Sequence, residues 1–237
     1  GGTRRQEVRD VDTAGQTEGF VVLVDGTKPV AEHDRRTRNL DACGTLRTMD
    51  DDLVGTQTPR RRTADPHEAL VLLERSIPGL AALRRPTRAV IDWTGLEDGL
   101  GTGLPADYKH LAEWYPAFAV GDFLLVRLPE PSDEGSWLQA TRDTLDVLVD
   151  AWLEPGLGLS AHPAPGGLLP WGESCDGDHF MWTTTGRSPR EWTVTVASRG
   201  GAWWHYGGGA VQFLAEYCNG AVEPWGLPPI DLDVPPC

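Results

Sequence analysis

Apolar residues recur along this chain with two different periods, which predict helices in some stretches and strands in others. Leu70, Leu73 and Ile77 lie on one helical face, and Asp65 and Pro66 supply an N-cap and a first turn before them. The helical pattern therefore begins at about residue 66. The same spacing predicts three more helices, over residues 104–115, 135–153 and 210–217.

Runs of β-branched and aromatic residues predict strands between these helices. Residues 122–128 form an apolar run that Pro129 closes, which is typical of a buried strand. Three further runs, at residues 180–184, 192–196 and 203–206, are joined by short turns and predict an antiparallel meander. Together with the helices they predict an α+β fold, in which a mainly antiparallel sheet has helices packed against it.

The aromatic residues mark the part of the chain that forms the core. All ten tryptophans lie between Trp93 and Trp225, whereas the first 92 residues contain a single Phe, Tyr or Trp, which is Phe20. Because aromatic side chains dominate core burial, the folded domain is predicted to span residues 66–220. Residues 221–237 are predicted to form a Pro-rich extended tail.

Residues 1–65 are predicted to be a disordered or poorly ordered extension, with one candidate strand at residues 20–24. Their composition, rich in Asp, Arg, Thr and Gly, buries too little apolar surface to offset the entropy of ordering. Removing them should therefore leave the melting temperature almost unchanged. Arg60, Arg61 and Arg62 are interpreted as part of a solvated linker rather than a nucleic-acid contact, since short charge runs are usually solvated.

Negative charge is concentrated in the predicted domain. Residues 66–237 carry 10 Lys and Arg against 23 Asp and Glu, a net charge of −13, whereas residues 1–65 have a net charge of −1. Such a domain repels nucleic acid, because phosphate binding requires clustered Lys and Arg. It favours a basic protein partner, which complementary charge would attract.

Cysteine usage and hydropathy favour a cytoplasmic protein. Cys43, Cys175, Cys218 and Cys237 include no C-x-x-C pair, so neither a zinc site nor a small disulfide scaffold is expected. Scattered reduced thiols are typical of the cytoplasm. The chain has no run of about 18 apolar residues and no signal-peptide core of about 7 to 15, so no membrane segment is expected.

The sequence G-E-S-C-D-G-D-H at residues 172–179 holds the side chains that would carry a catalytic or metal site. Ser174 and Cys175 do not form a nucleophile elbow, because Asp176 stands where the G-x-S-x-G motif needs glycine. The Glu, Asp and His side chains of the stretch are too few, and wrongly spaced, for a calcium or zinc site. A turn is predicted here, and no catalytic residue, metal or cofactor is expected.

Seven short motifs follow one another along the predicted domain. They are I-D-W at residues 91–93, L-P-A-D-Y at 104–108, the strand at 123–129 that ends in Pro, L-L-P-W-G at 168–172, D-G-D at 176–178 followed by Trp182, E-W at 191–192, and F-L at 213–214. In this order they resemble the SUKH superfamily, which includes the Smi/Knr-type fungal cell-wall assembly regulators and many bacterial immunity proteins. The resemblance covers roughly residues 66–220.

The resemblance implies a SUKH-like fold without catalysis, in which the shared motifs carry the fold and the binding face varies. The family-signature residues that it implies to be mainly structural are Trp93, Leu104, Pro105, Tyr108, Trp171, Gly172, Gly177, Trp182, Trp192, Phe213 and Leu214.

Residues that contact a partner are expected among side chains that the core does not need. Trp203 and Trp204 are adjacent and point to opposite faces of a strand, so one of them is a candidate interface anchor, with burial under the last helix as the alternative. An acidic loop would supply a charged rim, with a merely solvated loop as the alternative. The candidates in this loop are Glu173, Asp176, Asp178 and His179.

The leading hypothesis is a cytoplasmic immunity protein of SUKH type that binds and neutralises a cognate, basic toxin domain encoded nearby. One alternative is a regulatory scaffold resembling the fungal members. Another, of a different class, is a metal-dependent hydrolase centred on Asp176 and Asp178, which the number of ligands disfavours. The sequence leaves the oligomeric state open.

Overall fold

The computed structural model describes residues 53–153 and 157–237. The candidate strand at residues 20–24 lies outside this part. The described helices are α1 (Pro66–Ser76), α2 (Trp93–Leu100), α3 (Ala106–Trp114), α4 (Glu134–Val147) and α5 (Ala210–Cys218), and a π-helical turn (Leu148–Trp152) continues α4. Among these helices there is none with the length and apolar character that crossing a membrane requires.

The strands form one seven-stranded sheet in the order β1-β7-β6-β5-β4-β3-β2. Their bounds are β1 (Leu53–Gln57), β2 (Phe118–Val120), β3 (Leu124–Val126), β4 (Leu168–Ser174), β5 (His179–Thr183), β6 (Thr193–Ala197) and β7 (Trp203–Tyr206). Among the strands of the described residues only the β1–β7 pair is parallel, so the predicted α+β fold with a mainly antiparallel sheet is confirmed.

Strand β1 lies within the segment that was predicted to be a disordered extension, so the sheet begins before the expected boundary at residue 66. The Gln57 side chain fixes the strand, because its amide donates to the Glu223 carbonyl and accepts from the Glu223 N–H. The sequence does not clearly predict β1. Its residues include one exposed valine and a central glycine, and apolar and polar side chains do not alternate clearly along it.

Arg62 anchors the connection between β1 and α1, which corrects its interpretation as part of a solvated linker. Its guanidinium donates to the carbonyl oxygens of Gly207 at 3.0 Å, Arg190 at 2.8 Å and Trp192 at 2.6 Å. The Gln212 side chain holds the same segment by accepting from the Thr63 N–H at 2.8 Å. Charge-assisted bonds of this kind are stronger than neutral ones, so the segment is bound to the domain.

The first face of the sheet carries the main core, which helices α1, α3 and α5 cover. Trp171 and Phe180 contact the Phe213 ring of α5, with ring centroids 6.0 and 5.9 Å apart. A β-bulge at residues 170–172 shifts the register between β4 and β5, which lets Trp171 and Gly172 both face this core.

The second face carries a smaller cluster, which the end of α4 and the π-helical turn cover. Met181, Ala197 and Trp203 face this side and pack with Leu148. The Trp152 ring lies against Trp203, with centroids 6.2 Å apart. The sheet is therefore buried on both faces around its central strands.

Residues 221–237 form neither helix nor strand but pack closely on the domain. Leu227 is buried, and the Trp204 indole N–H donates to the Trp225 carbonyl at 2.8 Å. The segment then reaches the β2–β3 hairpin, where the Ala119 N–H donates to the Cys237 carbonyl at 2.9 Å. This segment thus covers the β2 edge of the sheet.

Candidate partner-binding site

The turn between β4 and β5 is held by Asp178, which is 3% exposed. Its carboxylate accepts hydrogen bonds from the Ser174 hydroxyl and from the Arg199 N–H, and its own N–H donates to the Ser174 hydroxyl. Because both carboxylate oxygens are used inside the protein, the prediction that Asp178 contacts a partner is wrong. Asp178 is a turn-forming residue.

Glu173 and Asp176 differ from Asp178 because both reach the surface. The Glu173 carboxylate forms an ion pair with Arg127 at 2.5 Å, and Arg127 also donates to the Thr144 hydroxyl of α4. Asp176 is exposed, and only its backbone carbonyl is engaged, by the Arg199 guanidinium. Asp176 therefore presents its charge to solvent, whereas the charge of Glu173 is partly neutralised.

His179 is 7% exposed and lies under the Trp152 ring, with centroids 4.8 Å apart. Its Nδ1 has no hydrogen-bond partner among the described residues, and burial lowers the pKa of its imidazole. The neutral ring is thus part of the second-face cluster. The prediction that His179 contacts a partner is wrong.

Neither of the adjacent tryptophans is an exposed interface anchor. Trp203 is 5% exposed and packs under Trp152, while Trp204 is fully buried on the opposite face against Phe213. The alternation that placed them on opposite faces is confirmed, but both faces are covered at β7. The prediction of an anchor here is wrong because the second face has its own cover.

The family-signature residues lie in and around the main core. Trp171, Trp182 and Phe213 are fully buried, and the Trp93 indole N–H donates to Glu113 at 3.2 Å. Gly177 has a φ of 91°, a conformation that favours glycine. The remaining signature residues that are buried are Leu104, Pro105, Tyr108, Gly172, Trp192 and Leu214.

No group of His, Cys, Asp and Glu side chains in residues 53–153 and 157–237 is arranged to hold a metal ion. Asp178 uses its oxygens in the turn, and Asp176 points its charge to solvent. The geometry of this pair therefore gives no support to the hydrolase alternative.

Beside the acidic loop, the second face of the sheet is open, and a groove of about 350 Å³ lies there. We call it the hairpin groove, because the β2–β3 hairpin forms one wall and the end of β4 the other. Leu125 of β3 is its most exposed apolar residue, with 37% of its surface accessible. The groove is lined by Ala119, Asp122, Phe123, Leu125, Glu173, Ser174 and Cys175.

The rim of the hairpin groove is acidic. Asp122 is exposed at the tip of the β2–β3 hairpin, and Glu173 stands across from Leu125 on β4. The Cys175 thiol is exposed beside them. The groove thus combines an apolar floor with negative charge at its edge.

Comparison with known proteins identifies no relative of this chain. No protein-family model, curated protein or solved structure matches the chain. The SUKH resemblance and the functions that it implies therefore stay predictions.

The sequence predicted a site residue on the β4 wall of the groove but none on the wall that the β2–β3 hairpin forms. Glu173 was a candidate, but residues 122–128 were expected to be buried throughout. Leu125 faces away from the main core because alternate residues of a strand point to opposite faces, and it stays 37% exposed there. The signal that could have found it is Gly121-Asp122, a turn pair that predicts a hairpin, because antiparallel strands commonly leave one face open to solvent.

Proposed function

We propose that this protein is a non-enzymatic protein-binding domain that neutralises a basic partner, most simply as an immunity protein against a toxin encoded nearby. The observation that carries the proposal is the hairpin groove, an apolar concavity rimmed by carboxylates. Apolar contacts inside a charged rim are the usual anatomy of a protein–protein interface. The resemblance of the sequence motifs to SUKH immunity proteins supports the same function.

The charge of the domain supports a basic partner. With a net charge of −13 over residues 66–237, it would attract a cationic protein at long range and speed association. A toxin that acts on nucleic acid carries cationic residues for phosphate, so its active surface is complementary to this domain. An inhibitor that covers such a surface needs no catalytic group of its own.

Co-expression tests the proposal directly. The toxin domain encoded by the neighbouring gene should arrest growth alone and permit growth with this protein, and the purified pair should bind with nanomolar affinity or tighter. If no neighbouring gene product binds, or if co-expression leaves growth arrested, the proposed function is wrong.

Stopped-flow association across a salt series tests the role of charge. The association rate constant should fall as ionic strength rises, because salt screens charges beyond about 8 to 10 Å. Asp176→Lys should slow association more than it speeds dissociation. The matched control is Asp98→Lys, an equal charge change at an exposed residue of α2 that does not line the groove. Equal slowing by both variants would show that net charge, not the groove rim, steers the encounter.

A further inference from the structure

We propose that the hairpin groove binds one large apolar side chain of the protein partner, with Lys or Arg residues flanking it. This inference rests on the proposed function and names the part of the surface that performs it. It follows from the way the second face of the sheet is covered, from the chemistry of the groove and from the rigidity of the hairpin.

A single row of paired residues crosses the second face, and only one end of it is covered. Strand pairing places Leu125, Glu173, His179, Ala197 and Trp203 side by side in that order. The Trp152 ring, from the turn that follows α4, covers the His179 and Trp203 end. Within residues 53–153 and 157–237 no comparable ring covers the Leu125 end, and Leu125 is 37% exposed, although the row continues without interruption.

The size and lining of the groove fit a side chain rather than a cofactor. Its volume of about 350 Å³ is at the small end of the range for ligand pockets, which is about 300 to 1,000 Å³. Ala119, Phe123 and Leu125 supply an apolar floor. An inserted Leu, Met or Phe side chain would cover Leu125 in the way that Trp152 covers His179 and Trp203.

The rim determines the residues that flank the inserted side chain. The exposed carboxylate of Asp122, which lines the groove, has no ion pair in the described part of the chain. Neither has that of Asp176, which does not line the groove but directly follows the lining residue Cys175. Opposite charges pair best when an apolar neighbour excludes water from them. A partner segment with Lys or Arg on both sides of its apolar residue meets these conditions.

The groove is preformed, because residues near the end of the chain hold the hairpin in place. The Ala119 N–H bonds to Cys237, and a Cβ atom placed on Gly121 would lie 2.8 Å from the Asp231 carbonyl oxygen. Backbone this close to Gly121 leaves the hairpin little room to move. A rigid groove loses little conformational entropy when a partner binds.

Alkylation of Cys175 measures occupancy of the groove without a known partner. The full chain is treated with N-ethylmaleimide, and modification of Cys175 is followed by peptide mass spectrometry with three probes: acetyl-RRLRR-amide, acetyl-RRSRR-amide and acetyl-EELEE-amide. The leucine peptide with arginines should slow alkylation several-fold in a saturable manner, and the other two should not. Equal protection by the serine or the acidic peptide, or no protection by any peptide, would overturn the proposal.

Two variants with matched controls test the groove residues. Leu125→Asp should weaken binding of acetyl-RRLRR-amide about tenfold through loss of the apolar contact. Val90→Asp, at a valine that is 88% exposed, places the same charge elsewhere and should have little effect. Asp122→Asn removes the rim charge while keeping a residue that tolerates the positive φ of 50°, and should also weaken binding.

The outcomes separate this inference from the proposed function. If the toxin binds but Leu125→Asp leaves its affinity unchanged, the groove is not the contact and the immunity function stands. If the peptide protects Cys175 but no neighbouring gene product binds, the groove is a binding site and the immunity function fails. Protection that rises with protein concentration in the absence of peptide would assign the groove to a second copy and overturn the inference.

Discussion

Trp182 is one of the largest fully buried side chains of the core. It has no exposed surface, and Tyr108 meets its ring edge-on with centroids 4.7 Å apart. Trp182→Ala should cost about 3 to 5 kcal/mol of unfolding free energy, because it removes buried apolar area and leaves a cavity. Urea denaturation followed by circular dichroism measures this loss.

The control for this substitution is Trp114→Ala. Trp114 is only partly buried. The Arg84 guanidinium lies over its indole ring, with the guanidinium carbon 4.5 Å from the Trp114 ring centroid. Its removal should cost about 1 to 2 kcal/mol, because it loses the cation–π contact and the partial burial of the ring against the core. Equal losses from the two variants would contradict the placement of Trp182 at the centre of the core.

His179 should make the stability of the protein depend on pH. Burial lowers the pKa of the folded imidazole below its usual value of about 6.5, although Glu173 and Asp178 oppose this shift and Arg127 adds to it. The unfolded state therefore binds more protons, and stability should fall as the pH drops below about 6.5, down to the folded pKa.

Urea titrations at about pH 7.5 and pH 5.5 measure this dependence. His179→Gln should reduce the loss of stability between the two pH values. His205 and His110 also have lowered pKa values, so a residual loss should remain in the variant. An unchanged pH dependence in His179→Gln would show that His179 does not contribute.

At the scale of the element, α4 carries negative charges near its C-terminus, where they are unfavourable. Asp143, Asp146 and Asp150 lie three and four residues apart along α4 and the turn that follows it, and the last turn of α4 has no basic residue. Like charges at this spacing repel, and negative charge near a helix C-terminus opposes the helix dipole. Asp146→Lys should therefore raise the unfolding free energy by about 0.5 kcal/mol.

Glu134→Lys is the matched control, because it makes the same change at the other end of α4. Backbone N–H donors, its own first and that of Asp92 next, hold the pKa of the Glu134 carboxyl below its usual range. The reversal should lower stability, and thermal melts of both variants measure the two effects. Shifts of the same sign would contradict the dipole argument.

The helices could be predicted from sequence more readily than the strands. The 3.6-residue period marked α1, α3, α4 and α5, since each packs one apolar face against the core. Strand β4 was missed because Pro170 and Gly172 are residues that strands usually exclude, and a bulge accommodates them. Strand β2 has only three residues, and β1 shows no clear alternation around its central glycine, so only their tertiary partners define them.

The candidate site was predictable in place but not in detail. Charge and turn residues located the acidic loop, of which Asp176 is exposed. The sequence could not show that the Ser174 hydroxyl and the Arg199 N–H turn Asp178 inward, nor that Trp152 covers His179. These contacts join residues that are distant along the chain, and no local pattern encodes them.

At the scale of the whole molecule, the segment from residue 53 to residue 65 should be essential for stability, contrary to the expectation from composition. A chain that begins at residue 66 should melt well below one that begins at residue 53, because it lacks β1 and the bonds of Arg62 to three carbonyl oxygens. Equal melting temperatures in scanning calorimetry would show that the segment adds nothing.

Single substitutions separate the contribution of Arg62 from that of β1. Arg62→Ala should cost about 1 to 3 kcal/mol, because it removes the donor to the part-buried carbonyl groups of Gly207 and Trp192. Arg60→Ala is the control, since Arg60 is exposed and its removal should have almost no effect.

The parallel pairing of β1 with β7 also sets an order of events in folding. Along the chain, all the other described strands lie between β1 and β7, although the two are neighbours in the sheet. Closing this long loop is entropically costly, so the pairing of β1 requires that β7 has already folded. We infer that β1 docks late and is the first strand to detach when the native protein opens locally. Its amides that bond to β7 should exchange with deuterium faster than those between β5 and β6, which makes this edge the place where a protease would first gain entry.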